Sequence, residues 1–338
     1  SSLEKAANEA EKTFSSSFAG EYVSHFLNES PIMGAKISYN QAKKLIETIK
    51  VEEISKLAKQ WITDENFVIV ILGPEKEGLN ILTEDEARNI LKKAEYKNVT
   101  AYVDNYKPEP LIDKELTGSK VKSSKELPDI QATEYVLENG IKVILKPTEY
   151  KDDEVLMMAK APGGSSLFSL YDFPSTMFAT ALVERSGLGN FDYISLEKKL
   201  KGKNVGISPV IGETWNGFYG NTTPKDFETM LQLLYLYYDA PRFDEQAFQA
   251  IISETKNQLK FISGNPMYVF LDTLIKTSSQ NDPRKIAIPD EAFLNNATYK
   301  QSIDVYKDRF SNAGNLVFTF VGNINKEEML PLIEKYIG

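Results

Sequence analysis

The chain has 338 residues, of which 42% are hydrophobic and 26% charged, the balance of an ordinary globular protein large enough for more than one domain. It contains no cysteine and one histidine, His25, so it cannot supply disulfides, thiolate metal sites or the two or three imidazoles of a typical zinc enzyme. The net charge of −9 argues against nucleic acid as a partner. No apolar run approaches the roughly 18 residues that a membrane span requires.

The first elements in chain order recur near the end of the chain. Residues 66–73, NFVIVILG, and 315–322, NLVFTFVG, both read as an asparagine, a run typical of a buried strand and a glycine, and they lie 249 residues apart. The same offset aligns helical patterns upstream of both runs. Chance similarity of short apolar runs is the alternative. We predict instead two copies of one module, so that residues 15–73 and 264–322 superpose and the chain is a fragment of a longer repeated protein.

This repeat gives a domain organisation. Residues 1–75 are predicted to be the C-terminal half of one domain. Residues 76–130 contain one short polar helix and then a stretch rich in Pro, Lys, Ser and Glu with little periodicity, which predicts a partly extended linker. Residues 131–338 are predicted to be a second domain of the same kind, complete or nearly complete.

The elements of this second domain predict its fold class. Asn139 and Gly140 separate two alternating runs, which is a strong hairpin signal. Residues 173–186 form an apolar helical pattern, and Asp244 is a favourable N-cap for a long helix. Meandering strands with paired helices predict an α+β domain, in which an antiparallel sheet has helices packed on one face.

The first apolar helix ends in the sequence ALVERSG, which by itself reads as a helix end with Gly187 as its C-cap. The order of elements, with a glycine-rich turn feeding a helix that ends LVERSG, resembles the pitrilysin/insulinase family of zinc peptidases, the inverzincins. Active copies of that family's domain, of the metallopeptidase/LuxS-like fold, carry H-x-x-E-H here, with two histidine ligands and a glutamate as general base. In this chain Ala181 and Arg185 occupy the two histidine positions and only Glu184 is kept. Glu254 matches the family's third ligand, a glutamate in a long helix.

The resemblance therefore implies a non-catalytic copy, with no catalytic residue and no metal site in this chain. Ala181 offers no lone pair, and Arg185 is a permanent cation that repels zinc. We expect the guanidinium of Arg185 to contact Glu254 or Glu184, as a structural bridge in place of the metal.

Three aromatic residues are candidates for substrate contact. Trp215, Phe218 and Tyr219 lie in GETWNGFYGN, which we predict to be an edge strand. In active copies of the family, the edge strand takes the substrate by β-augmentation. In this copy the same surface is expected either to contact peptide or only to line the chamber.

By resemblance, the chain is an internal segment of a zinc-dependent metallopeptidase that hydrolyses peptides inside a chamber, and it forms the non-catalytic far wall. Zinc would belong to a domain of the parent protein outside this segment. The implied partners are the peptide substrate and the remaining domains of the same polypeptide. The resemblance favours the periplasm over the cytoplasm. The alternative is a stand-alone non-catalytic scaffold, like the core subunits of respiratory complexes, descended from such peptidases.

Overall fold

The computed structural model describes residues 2–61, 68–73, 78, 81–95, 97–100, 103–104 and 108–338. Its contacts divide the chain into two compact units, one formed by Ser1–Lys36 with Tyr106–Gly338 and the other by Ile37–Asn105. The first unit contains the sheet and the residues of the degenerate motif. No helix in the described part of the chain is long and apolar enough to cross a membrane.

A seven-stranded sheet lies at the centre of the first unit, in the order β1-β2-β3-β7-β4-β6-β5. The strands are β1 Val121–Leu127, β2 Ala132–Leu137, β3 Lys142–Pro147, β4 Val155–Pro162, β5 Val205–Ile211, β6 Trp215–Thr222 and β7 Val317–Gly322. Neighbouring strands are antiparallel except β3 and β7, which are parallel. The α+β fold is confirmed, and every pair of neighbouring strands except this one is antiparallel. These two strands are far apart in the chain, with three strands and several helices between residues 147 and 317, and parallel neighbours require a long connection.

The helices of the first unit are α1 Ser2–Asn8, α2 Ser15–Asn28, α6 Phe173–Ser186, α7 Tyr193–Leu200, α8 Phe227–Asp239, α9 Glu245–Ile262, α10 Pro266–Ser278, α11 Glu291–Asn296, α12 Tyr299–Phe310 and α13 Lys326–Tyr336. Between α2 and α6 in the chain lie α3 Ala35–Ile46, α4 Val51–Trp61 and α5 Glu84–Glu95. Local sequence signals determine where several helices and strands begin or end. Asp244 caps α9 by accepting hydrogen bonds from the backbone N–H groups of Gln246 and Ala247, as predicted. The predicted hairpin at Gly140 connects β2 and β3, and this glycine has a φ of +88°.

The two faces of the sheet differ in burial because side chains alternate along each strand. The inward side chains join one hydrophobic core with α8, α12 and α13; Leu145, Ala159, Phe218 and Phe320 are fully buried in it. The outward side chains are half-buried or exposed, and Leu156, Met158 and Tyr219 are among the exposed ones. We call this outward surface the open face.

Two elements differ from the sequence prediction. Strand β1 lies in residues 121–127, which were assigned to the linker, and it pairs with β2. The prediction was wrong here because β1 is a polar strand with an exposed central run and gives no apolar alternation to detect. The predicted strand at 66–73 is also absent from the described residues 68–73, which have no regular secondary structure. A strand requires hydrogen-bonded neighbours, and none of the described strands pairs with this run.

The predicted repeat agrees with the bounds of two helix pairs, but α3 shifted by 249 residues begins seven residues before α11, and the strand is not matched. Shifted by 249 residues, α2 falls on α10 and α4 falls on α12 to within two residues at each end. Residues 62–67, which include part of the first apolar run, lie outside the described residues. The superposition of residues 15–73 on 264–322 stays a prediction.

Candidate functional site

The degenerate motif lies in the last turns of α6. The helix ends at Gly187, whose φ is +91° and whose N–H donates to the carbonyl of Val183 at 3.1 Å. A side chain at this position would meet the carbonyl oxygen of Phe191 at 2.3 Å, so both the conformation and the space require glycine.

Arg185 contacts Glu254 across the gap between α6 and α9. One guanidinium Nη2 lies 3.2 Å from Oε2 of Glu254, and the predicted contact is confirmed. The guanidinium also lies 5.9 Å from the ring centre of Tyr193. Both charged side chains are exposed, however, at 51% for Arg185 and 55% for Glu254. The pair is therefore a solvent-screened bridge, which contributes about 0–1 kcal/mol to stability.

Glu184 faces the opposite way, toward the edge strand β5. It is half-buried, and burial raises the pKa of its carboxyl, while a hydrogen bond from the hydroxyl of Ser208 acts in the lowering direction. The phenols of Tyr237 and Tyr306 lie nearby, and burial raises their pKa values as well, with the charge of Glu184 adding to the effect.

The residues at this position do not fit zinc. Ala181 has no donor atom, and the cation of Arg185 stands beside Glu254, the matched third-ligand position. The single histidine, His25, lies on α2, where its Nδ1 is 2.8 Å from the carbonyl oxygen of Ser30 near the end of that helix. Within the described ranges, no group of three or more His, Cys, Asp or Glu residues could hold a metal ion.

The three aromatic candidates have different environments. Strand β6 lies between β4 and β5, so the prediction that it is the edge strand is wrong, and β5 has that position. Phe218 is fully buried, with ring centres 5.6 Å from Tyr237 and 5.2 Å from Phe310, which makes it a core residue. Sequence reasoning placed it with its neighbours because the three glycines of this run hide the alternation that turns residue 218 inward.

The other two candidates reach the open face. Tyr219 is 44% exposed, and its ring packs edge-on against Trp215 with 5.7 Å between ring centres. The ammonium of Lys160 lies 4.4 Å from the centre of the Trp215 ring, a cation–π contact between neighbouring strands. Substrate contact by Trp215 and Tyr219 stays a prediction. The structure places the basic side chain of Lys160 beside these two residues.

Sequence reasoning missed the remainder of this surface. A cavity of about 800 Å³ opens on the sheet, and Leu156, Met158, Tyr219 and Val321 belong to its lining. The signal was present in VLMMAKAP, where period-two alternation places apolar side chains on both faces of β4 instead of one. An outward apolar row on a strand with one solvated face indicates contact with something other than water.

No family model matches the chain. The chain is similar to the "Zinc protease PQQL-like" of Arabidopsis thaliana, at 23% identity over 342 residues that cover 100% of this chain and 33% of that protein. It is also similar to the "Probable zinc protease PqqL" of Escherichia coli K12, at 20% identity over 92% of this chain and 33% of that protein. The chain thus spans about a third of the length of these curated relatives.

Two solved structures resemble the fold. The periplasmic protease PqqL from Escherichia coli matches 99% of this chain with a TM-score of 0.59 at 19% identity, covering 37% of that chain. A variant of the ferredoxin protease FusC, solved with Arabidopsis ferredoxin, matches 99% of this chain with a TM-score of 0.55 at 14% identity, covering 38% of that chain. These likenesses establish a pitrilysin-like fold. Together with the curated relatives, they confirm the resemblance to pitrilysin-type zinc proteases.

Proposed function

We propose that this chain is an internal segment of a zinc-dependent metallopeptidase that hydrolyses peptides, and that the segment itself is a non-catalytic wall of the peptide chamber. The observation that carries this proposal is the combination of two facts. The whole chain is similar to proteins named zinc proteases. At the position of the zinc helix, however, Ala181 and Arg185 stand where that chemistry requires imidazoles, and Arg185 pairs with Glu254.

The domain organisation follows as part of the same proposal. Residues 1–75 would be the second half of one pitrilysin-like domain, 76–130 the connection, and 131–338 the inactive copy. Catalytic zinc would be held by a domain of the parent protein outside this segment. The segment's partners would be those remaining domains and the peptide. The periplasm is the proposed compartment, since the structural relative from Escherichia coli is described as a periplasmic protease.

The geometry supports the role of a wall in two ways. Where the resemblance would place a metal centre, Arg185 and Glu254 form a solvent-exposed ion pair, which needs no metal and contributes little to stability. The open face offers Trp215 and Tyr219 to a neighbouring peptide. Neither feature supplies a nucleophile, a general base poised on water, or a Lewis acid.

Zinc content and peptidase activity of two proteins test the proposal. The full-length parent and this chain are each dialysed against micromolar zinc, washed and assayed by elemental analysis and with fluorogenic peptides. We expect tightly held zinc and chelator-sensitive cleavage in the parent, and neither in this chain. Stoichiometric zinc on this chain alone would contradict its assignment as inactive.

The alternative function is a stand-alone non-catalytic scaffold. The loss of both histidine positions favours it as much as it favours an inactive wall. A full-length parent without an H-x-x-E-H sequence, without zinc and without cleavage would support the scaffold and contradict the peptidase.

A further inference from the structure

The outward side chains of the sheet form continuous rows across the strands. The pairing register places Ile144, Thr319, Met158, Tyr219 and Ser208 side by side on β3, β7, β4, β6 and β5. Directly opposite residues of neighbouring strands have Cβ atoms about 5 Å apart, so such a row is a continuous surface. The row crosses the cavity of about 800 Å³, which is within the size range of ligand-binding pockets.

This surface is apolar in the middle. Leu156 is 46% exposed, Met158 38% and Tyr219 44%. Val321 lies beside Leu156 in the same register. These three large apolar side chains lie next to one another and are partly exposed to water. A partner that covered them would be stabilised by about 25 cal/mol for each Å² of apolar surface buried.

Lysines flank this apolar row on both sides. In one flanking row, Lys142 on β3 and Lys160 on β4 both lie opposite Val317. In the other, Lys146 lies opposite Val321. No ion pair within the described residues involves these three lysines.

The charge of this surface differs from that of the chain. The open face also carries Glu134, but that carboxylate lies opposite Lys125 on β1, so the two charges offset each other. At the β5 end of the row, the carboxyl of Glu184 is hydrogen-bonded to Ser208. The apolar row therefore keeps a positive border on a protein whose net charge is −9. A positive border on an acidic protein selects partners of the opposite sign.

We propose that the open face binds an acidic peptide segment with interspersed apolar side chains, lying in extended form across the sheet. The proposal rests on the proposed function, because it names the class of peptide that the chamber wall would receive. Apolar side chains of the peptide would enter the cavity beside Met158, Leu156 and Tyr219. Its carboxylates would meet Lys142, Lys146 and Lys160, and a basic peptide of the same apolar content would be repelled.

Binding can be measured directly on this chain, without zinc and without cleavage. Fluorescein-labelled peptides of about ten residues are suitable, because an extended chain of that length spans about 33 Å and seven strands about 4.8 Å apart are about as wide. Three peptides with the same apolar residues carry glutamate, glutamine or lysine at the remaining positions. Anisotropy titrations in chelator give the three dissociation constants at low and moderate salt.

We expect the glutamate peptide to bind at least about tenfold more tightly than the lysine peptide, with the glutamine peptide between them. Added salt should reduce the difference, since the contacts are at the surface. The double variant Lys142→Gln/Lys160→Gln should weaken binding of the glutamate peptide severalfold and leave the glutamine peptide unchanged. Met158→Ser should weaken all three.

A matched control removes the same charge elsewhere. Lys300→Gln/Lys307→Gln neutralises two exposed lysines on α12, in the helix layer, and should leave all three constants unchanged. Equal binding of the glutamate and lysine peptides, binding of none of them, or sensitivity only to the α12 variant would each overturn the proposal.

Two further outcomes separate this inference from the proposed function. If the peptides bind this chain but not the full-length parent, another domain covers the open face and the inference is wrong, whatever the parent cleaves. If the parent lacks zinc and cleavage while the charge selectivity on this chain persists, the peptidase assignment fails and the peptide-binding face stands.

Discussion

The two faces of the sheet are formed by the same strands, but their side chains differ in burial. On the inner face, Phe218 and Phe320 are fully buried under α8 and α12. On the open face, Met158 and Tyr219 are neighbours in register and stay partly in water. Residues 218 and 219 are adjacent in sequence and differ completely in environment. Stability therefore depends on the inner face, and the open face is available for binding.

The same contrast holds for charged side chains. Glu9, at the end of α1, is 6% exposed beneath the loop between β3 and β4, where it accepts a hydrogen bond from the N–H of Asp153 at 2.5 Å. Lys151 lies 3.7 Å from its other oxygen. Arg185 and Glu254 form their ion pair in solvent. We expect burial, rather than the presence of an ion pair, to decide what each contact contributes to stability.

The largest expected effect separates residues 218 and 219. Phe218→Ala should lower the free energy of unfolding by about 3–5 kcal/mol, because it leaves a cavity among Tyr237 and Phe310. Tyr219→Ala should cost less than about 1 kcal/mol, because its ring is on the open face. Urea unfolding followed by circular dichroism measures both. Similar losses for the two variants would show that the faces are not distinct.

The second prediction concerns the buried carboxylate of α1. Glu9→Ala should cost about 1–3 kcal/mol, since it removes the buried acceptor for the N–H of Asp153 and the carboxylate that pairs with Lys151. Glu11→Ala is the matched control, because Glu11 pairs with Lys36 in solvent and its loss should change the urea midpoint little. Equal sensitivity at both positions would contradict the role of burial.

The third prediction concerns Glu184 and pH. Burial raises the pKa of this carboxyl above its ordinary 4.5, so the folded state binds more protons than the unfolded state between the two pKa values. The stability that the protonated carboxyl contributes is present below 4.5 and is lost as the pH rises through the raised pKa.

A neutral isostere removes this pH dependence. Glu184→Gln should therefore be more stable than the wild type at neutral pH, and the difference should vanish in acid. Urea midpoints across this pH range give the measurement, and Glu254→Gln at the exposed end of the bridge gives the comparison. A Glu184→Gln variant that is less stable at neutral pH would show that the ionised carboxylate is favoured in the folded state.

The smallest expected effect on stability is for Arg185, the charged residue of the motif on α6. Arg185→Ala should cost no more than about 1 kcal/mol, because the pair with Glu254 is screened by water. Had the site been buried, loss of the arginine would have left an unpaired charge at a much higher cost. Chemical denaturation at low and high salt tests this. A loss of several kcal/mol would mean that the bridge is shielded from solvent in the folded protein.

Local chemistry in the sequence determined the ends of several elements. The Asn139-Gly140 hairpin, the Asp244 cap and the Gly187 stop each depend on neighbours within a few residues, and all three are formed as predicted. That Ala181 and Arg185 are not zinc ligands is also readable without coordinates, because their side chains have fixed chemistry whatever surrounds them.

Tertiary structure decided strand pairing and side-chain burial, which depend on residues far apart in the sequence. A polar run became strand β1 because β2 offered it hydrogen bonds, whereas the apolar run at 68–73 formed no strand because no described strand pairs with it. Phe218 turned inward because β6 is paired on both sides and its register is fixed by β4 and β5. Pairing and burial are properties of two or more segments at once, so a single run of sequence determines which side chains alternate but not which face meets water.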